Sequence, residues 1–242
     1  MIDANQIFEH LLKLPSPWEI KKVEVNEAIQ AVKIFIEYES EEGVCPDTGE
    51  ICKIYDRRER SWRHLDTMDY QTWIYCRLPR VKNSLGTYHF IPVEWADFGF
   101  SHTHKFENKC ITVLQKTHCV GSAAELVRIG EDKMRGMMHK AVDRGLNKRD
   151  LTQHPVEAIS IDEKSYGRGQ QYISVLTDAT NGRVLDIVQG RLEEDAGRLL
   201  QKVFTSEQLL AIKKVCCDMW DGYMKALKKT VLMPPLSMTS FM

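Results

Sequence analysis

The stretch VEAISIDEKSYGRGQQYISVLTDATNGRVLDIVQGR, residues 156–191, decides how the last third of the chain is read. Its apolar runs are short, alternate with polar residues and are separated by turn-forming clusters. That pattern predicts three β-strands near 157–163, 170–177 and 183–189. The GRG at 167–169 reads as a hairpin turn and is too short to cradle a phosphate. Asp162 ends the apolar run Ala158-Ile159-Ser160-Ile161, which reads as a central strand. A carboxylate is costly to bury unless a charged group faces it.

A partner lies downstream. The run Ile212-Lys213-Lys214-Val215-Cys216-Cys217 also ends in an acid, Asp218, 56 residues after Asp162. A helix is predicted between them, near 193–204. Three antiparallel strands, a helix and a further strand is the order of a ribonuclease H-like sheet, in which the first and fourth strands are neighbours. In that order the two end carboxylates converge and repel unless a cation lies between them. Mg²⁺ suits one or two carboxylates plus phosphate oxygens, and two such ions form a clamp for displacement at a phosphodiester. An Asp at a strand end also serves to cap a turn or helix, and that reading stays open for each acid taken alone.

The 242 residues allow two modest domains with real cores, and 43% apolar with 28% charged residues excludes wholesale disorder. No run of about 18 apolar residues is present, so no membrane span is expected, and the N-terminus lacks the pattern of a signal peptide. Seven cysteines without framework spacing point to reduced thiols in the cytoplasm. The net charge of −1 hides an asymmetry: residues 1–50 carry −7, residues 51–150 carry +6, and the remainder is neutral. The middle block is the one able to present a basic face to phosphates.

The N-terminal segment predicts a short helix stopped by Pro15 and Pro17, a strand pair over 18–39, and a strand ending at Pro79. Between them lies a turn-rich knuckle bounded by Cys45 and Cys52. Helical spacing then takes over, with helices near 106–118, 122–128 and 131–143 and Gly145 placed as a stop. Residues 123–141 read as helix, turn, recognition helix. Ala124 permits close approach, Ile129 and Met134 face inward, and Lys133, Arg135 and Lys140 face a groove or phosphates. Arg128 stands where many such motifs have a turn glycine. Met219, Trp220 and Tyr223 read as core beneath the sheet.

ISIDEKSYGRGQQYISVLTDATNGRVLDIVQGR and KKVCCDMWDGY resemble the catalytic-domain motifs of bacterial insertion-sequence transposases of the DDE type. The resemblance is to the insertion sequence L three family, which also carries an N-terminal zinc finger and a helix-turn-helix. YDRRERSWRHLDTMDYQTWIYCRLPRVK and VEWADFGFSHTHKFE are similar to that family's N-terminal signature. The resemblance implies Asp162 and Asp218 as the first two acids of a catalytic triad. It also implies Mg²⁺ or Mn²⁺ as cofactor and terminal inverted repeats of an insertion sequence as the DNA partner. A homo-oligomer is possible, and no membrane is involved. DNA contacts are expected from Arg57, Arg58 and Arg60 as well as from Lys133, Arg135 and Lys140; internal ion pairs to Glu59 and Asp66 are the bland reading of the first three.

Two departures shape the expectation. The family's third acid, a Glu, lies well downstream, whereas this chain has no acid after Asp221 and stops 24 residues after Asp218. A truncated, catalytically incomplete transposase is therefore expected, with a non-catalytic DNA-binding repressor at transposon ends as the alternative. A product that binds nothing specific is a third reading. In the family's finger, Thr48 stands where the second cysteine belongs, and Asn83-Ser84-Leu85-Gly86-Thr87 lacks both later ligands. Cys45 and Cys52, with His64 and His89 nearby, make a weak zinc site, so a metal-free knuckle is expected. Packing of Trp62, Trp73 and Trp95 would then replace what a metal supplies. The expected fold is α+β and multidomain. A β-rich, zinc-ribbon-like lobe spans 1–105, a helix-turn-helix 106–150, and an incomplete ribonuclease H-like lobe (β-β-β-α-β) 156–242.

Overall fold

The computed structural model describes residues 4–151, 155–169, 171–218 and 221–231. The chain divides into two compact units, Met1–Asn147 and Lys148–Met242. No helix among the described residues is long and apolar enough to cross a membrane.

The first unit opens with α1 (Ala4–Leu12) and then builds a six-stranded mixed sheet. Its strands are β1 (Trp18–Asn26), β2 (Ala31–Tyr38), β3 (Glu42–Val44), β4 (Ile51–Arg63), β5 (Gln71–Lys82) and β6 (Tyr88–Phe90). They run in the order β1-β2-β5-β4-β3, with β6 on β5. Alternation makes the sheet: in β2, Val32, Ile34 and Ile36 are buried while Lys33, Phe35 and Glu37 turn to the other face. The buried side meets Trp18, Trp62, Ile74, Cys76 and Leu78, with Trp95 packed edge-on against Trp18 and Trp62. This lobe is a large mixed sheet rather than a small zinc ribbon. Trp73 does not join the other tryptophans. Even spacing along β5 puts it on the opposite face, where the Arg63 guanidinium lies 5.9 Å from its ring.

Strand β5 also runs through Pro79 instead of ending there. Pairing with β2 stops at Cys76 and pairing with β6 starts at Arg80, so Pro79 falls in the gap where a missing N–H breaks no ladder bond. Its carbonyl still accepts from Ile91 N–H at 3.0 Å.

Helices α2 (His104–Thr117), α3 (Val120–Leu126) and α4 (Glu131–Lys148) follow. Thr103 caps α2 through its hydroxyl, which accepts from Phe106 N–H at 3.3 Å. Phe106, Cys110, Ala123, Ala124, Val127, Met134 and Met137 close the small core between them. Gly145 does not stop α4; its φ is not left-handed and the helix continues to Lys148. Left-handed residues here are His118 at φ 54, which ends α2, and Arg128 at φ 56, in the turn between α3 and α4. The Arg128 turn is held by the residue's own side chain. Its guanidinium donates to Asp69 O at 2.8 Å and pairs with Asp66, which holds a conformation that a non-glycine residue otherwise avoids.

The second unit contains β7 (Ala158–Gly167), β8 (Gln171–Asp178), β9 (Arg183–Gln189), α5 (Glu193–Val203), α6 (Ser206–Leu210), β10 (Lys214–Cys217) and α7 (Asp221–Thr230). Its four strands run in the order β10-β7-β8-β9, compatible with part of a ribonuclease H-like sheet. The hairpins β7-β8 and β8-β9 are antiparallel, and β10 returns parallel to β7. Apolar residues at helical spacing, Ala196, Leu199, Leu200 and Val203 on α5 and Tyr223, Ala226 and Leu227 on α7, cover Ile159, Ile161 and Leu176 on one sheet face. Each fully buried Leu or Ile contributes roughly 1.5–3 kcal/mol. Met219 and Trp220 lie outside the described residues; Tyr223 is fully buried.

Candidate active site

The site is set by register. Along the β7–β10 pair, Val215 faces Ile159, Cys216 faces Ser160 and Cys217 faces Ile161. The pairing ends there: Asp218 is the first residue past β10, whereas Asp162 lies inside β7, which runs on to Gly167, so the expected strand end at Asp162 is not a strand end. Adjacent strands lie about 4.8 Å apart, and level residues project to the same face. Burial agrees with this alternation. Ile159 and Ile161 are buried against the helices, whereas Ser160 is half-buried and Asp162, Cys216 and Asp218 are exposed. Continued one residue past the pairing, the same alternation would turn both acids to the face opposite α5 and α7. On that face the row continues from Asp162 to Val175 and Ile187, the last 46% exposed.

Asp162 Oδ1 accepts from the N–H of Glu163 at 2.8 Å, which fixes the carboxylate within β7. Glu163 itself turns to the helix face. There it pairs with Arg191 at 3.4 Å, while its second oxygen is buried without a hydrogen-bond partner among the described residues. Arg191 lies 4.1 Å from the centroid of the Tyr172 ring. Behind the sheet, Ser174 Oγ donates to Gly190 O at 2.8 Å and lies 2.7 Å from the Tyr223 hydroxyl. Burial pushes the Tyr223 phenol up, with the charges of Glu163 and Asp162 adding to it. The Cys217 thiol is likewise pushed up by burial, then by neighbouring Cys216 and Asp218. This supporting layer of Ser174, Gly190 and Arg191 carries no motif; period-two alternation of Asp162 and Glu163 is the one sequence signal that separates their roles.

Two exposed carboxylates, each just past the last residues that pair β7 with β10, are suited to a hard divalent cation together with phosphate oxygens. Among the described residues no group of three or more His, Cys, Asp and Glu is arranged to hold a metal. Asp221 is exposed in the first turn of α7.

The basic residues are scattered through the first unit. Arg57 donates to Ser40 O and Glu41, both at 3.3 Å, and Arg58 is exposed beside Asp56 at 3.3 Å. Arg60 lines a 400 Å³ cavity with Trp62, Tyr88, His89 and Phe98. On α4, Arg135 is exposed and pairs with Glu131 at 3.0 Å, and Lys140 sits 3.6 Å from the Phe100 ring centroid. Lys133 is half-buried; burial and the Arg63 charge push its ammonium down, opposed by Cys110.

A family model described as a transposase, of the DDE type named for ISL3, matches residues 159–234, a span that contains both acids. The transposase for insertion sequence element IS1557 from two strains of Mycobacterium tuberculosis is 26% identical over 186 residues. That alignment covers 73% of this chain and 40% of the relative, so the chain spans well under half the length of the curated relatives it matches. The chain resembles insertion-sequence transposases of the ISL3 type.

Proposed function

We propose that this chain supplies DNA-binding helices and two metal-holding acids of an insertion-sequence transposase acting at the terminal inverted repeats of its element. The observation that supports the proposal is the parallel pairing of β10 with β7 up to Cys217 and Ile161, the residues just before Asp218 and Asp162, inside the segment similar to transposases. Asp162 and Asp218 would hold Mg²⁺ or Mn²⁺. Bound there, the ion would polarise a phosphodiester oxygen and activate the attacking water or 3′-hydroxyl. The chain's own contribution would be position: Glu163 N–H donates to the Asp162 carboxylate, and the parallel ladder ends at the residue before each acid. Helices α3 and α4 form the helix-turn-helix of this reading, with Arg135 and Lys140 exposed for phosphate contact and Arg58 adding to them.

A second reading, occupation of element ends without cutting, is favoured by the two-acid composition of the site among the described residues. Two carboxylates are fewer ligands than a two-ion clamp uses. One experiment addresses both. The full chain is incubated with terminal-repeat DNA and Mn²⁺, and retardation, nicking and Mn²⁺ binding are followed together. Retardation that weakens steeply with salt, and Mn²⁺ binding lost in Asp162→Asn and Asp218→Asn, are expected. Nicking that disappears in the same variants selects the catalytic reading, and retardation without nicking selects the second. Mn²⁺ affinity unchanged by either substitution refutes the role given to the acids.

A further inference from the structure

The 400 Å³ cavity that Arg60 lines is walled largely by rings. Trp62 and Leu78, both buried, come from β4 and β5, Tyr88 and Phe90 from β6, and Phe98 from the loop that follows. Phe98 occupies the first corner of a turn closed by Phe100 N–H on Asp97 O at 3.2 Å, with Gly99 at φ 83 supplying the left-handed second corner. Turn corners ordinarily carry proline, glycine or polar residues. This one holds a ring that is 76% exposed and tilted against Phe90, 5.9 Å away. Tyr88 and Phe90 are fixed from β5. The Arg80 guanidinium lies 5.0 Å from the Tyr88 ring and 5.9 Å from the Phe90 ring, and Asp56 clamps it at 2.9 and 2.6 Å.

Arg60 is a cation of a different kind. It alternates with Trp62 along β4, so it projects from the same sheet face, and it makes no ion pair among the described residues. Arg58 takes the next position on that face and is exposed, as is Lys82, 5.3 Å from the Tyr88 ring. The acids nearby already have neighbours. Asp56 is met by Arg80 and Arg58, while Asp47 lies 3.9 Å from His89 and Asp97 3.7 Å from His104.

An aliphatic ligand would use the rings and leave Arg60 idle. A phosphate alone would use Arg60 and none of the rings. A flat aromatic group joined to an anion uses both, and a nucleotide is such a group. Inside a duplex the faces of a base are covered by its neighbours, so only an unpaired base can offer one.

We propose that this cavity receives unpaired bases of a single DNA strand, stacked on Phe98 and Phe90, with Arg60 and Arg58 meeting the adjoining phosphates. The inference rests on the transposase reading for its choice of DNA and goes beyond it, since neither the helix-turn-helix nor the two acids require a base outside the duplex.

The test uses the full chain with dye-labelled oligothymidylate and an abasic strand of equal length, compared by fluorescence anisotropy at low salt. The two strands carry equal charge, so a difference in affinity belongs to the bases. The native chain is expected to hold oligothymidylate on the order of 10-fold more tightly than the abasic strand, and Phe98→Ala to remove most of that preference. Phe98→Tyr keeps a ring face and is expected to retain it, whereas Phe98→Leu is expected to lose it. Phe98 is exposed enough that these replacements leave the core intact, and retardation of terminal-repeat duplex should be unchanged in all three. Equal affinity for the two strands overturns the proposal. So does a Phe98→Leu chain that keeps the native preference, which would mark a slot for an aliphatic side chain of a protein partner. If duplex is retarded and oligothymidylate is not bound, this inference alone falls; if neither is bound, the DNA reading falls with it.

Discussion

The Tyr223–Ser174 contact gives the sharpest test of how the acids are held. Ser174 Oγ has one hydrogen, which it donates to Gly190 O, so Tyr223 must be the donor to Ser174. Both side chains are fully buried. Tyr223→Phe removes that donor and leaves Ser174 satisfied by Gly190, a loss of one net hydrogen bond, about 1 kcal/mol. Ser174→Ala is different, because it strands a buried phenol hydrogen and a buried carbonyl. At about 1–3 kcal/mol each, the total is roughly 2–6 kcal/mol. In the double variant only the carbonyl is stranded, so the two effects fall short of additive by about 2–4 kcal/mol. Native-state hydrogen exchange read on β8 and α5 peptides converts these into rates. Tyr223→Phe is expected to accelerate exchange about 5-fold and Ser174→Ala on the order of 100-fold. Equal costs for the two substitutions, or strict additivity, would show that α7 is not docked on β8 through this bond.

Three further outcomes follow from local structure. At Arg128, the left-handed backbone and the pairing to Asp66 and Asp69 O act together, so Arg128→Ala is expected to cost about 1–2 kcal/mol and Arg128→Gly distinctly less; thermal melts of the two variants check the order. Burial pushes the His64 imidazole from 6.5 down to about 4, with Lys105 and Arg63 adding to the effect. Between those values the unfolded chain binds a proton that the folded one refuses. The stability is thus full above pH 6.5 and falls by about 3 kcal/mol as pH drops toward 4, and urea midpoints across that window should flatten in His64→Gln. Gly190 has φ 104, and an added Cβ would lie 2.1 Å from Asp195 Oδ2, the atom that accepts from Leu192 N–H at the start of α5. Gly190→Ala is therefore expected to destabilise the second unit by about 2–3 kcal/mol in calorimetry, and a neutral result would refute the reading of that turn.

The second unit was largely legible because its signals are local. Alternation marked β7, β8 and β9, a 3.6-residue period marked α5, and an acid at the end of each apolar run marked Asp162 and Asp218. The first unit was harder. Pro79 reads as a strand end because proline lacks a ladder donor, yet the gap between its β2 and β6 partners is a tertiary fact. Gly145 reads as a helix stop, while left-handed backbone falls at Arg128, held by acids some sixty residues earlier in the chain. Trp73 differs from Trp62 only in which side of the sheet its strand parity selects. Ser174 and Gly190 are unremarkable as letters, since their roles appear only when β8, β9 and α7 meet.

The crossover between β7 and β10 has a kinetic meaning. Asp162 emerges from the ribosome 56 residues ahead of Asp218, and parallel pairing must wait until the intervening hairpins and helices have formed. A nascent or partly frayed copy therefore carries Asp162 without the charge of Asp218 beside it. On the reading proposed above, the second charge arrives only when β10 zips onto β7, so affinity for a divalent ion would itself report that this lobe has finished folding.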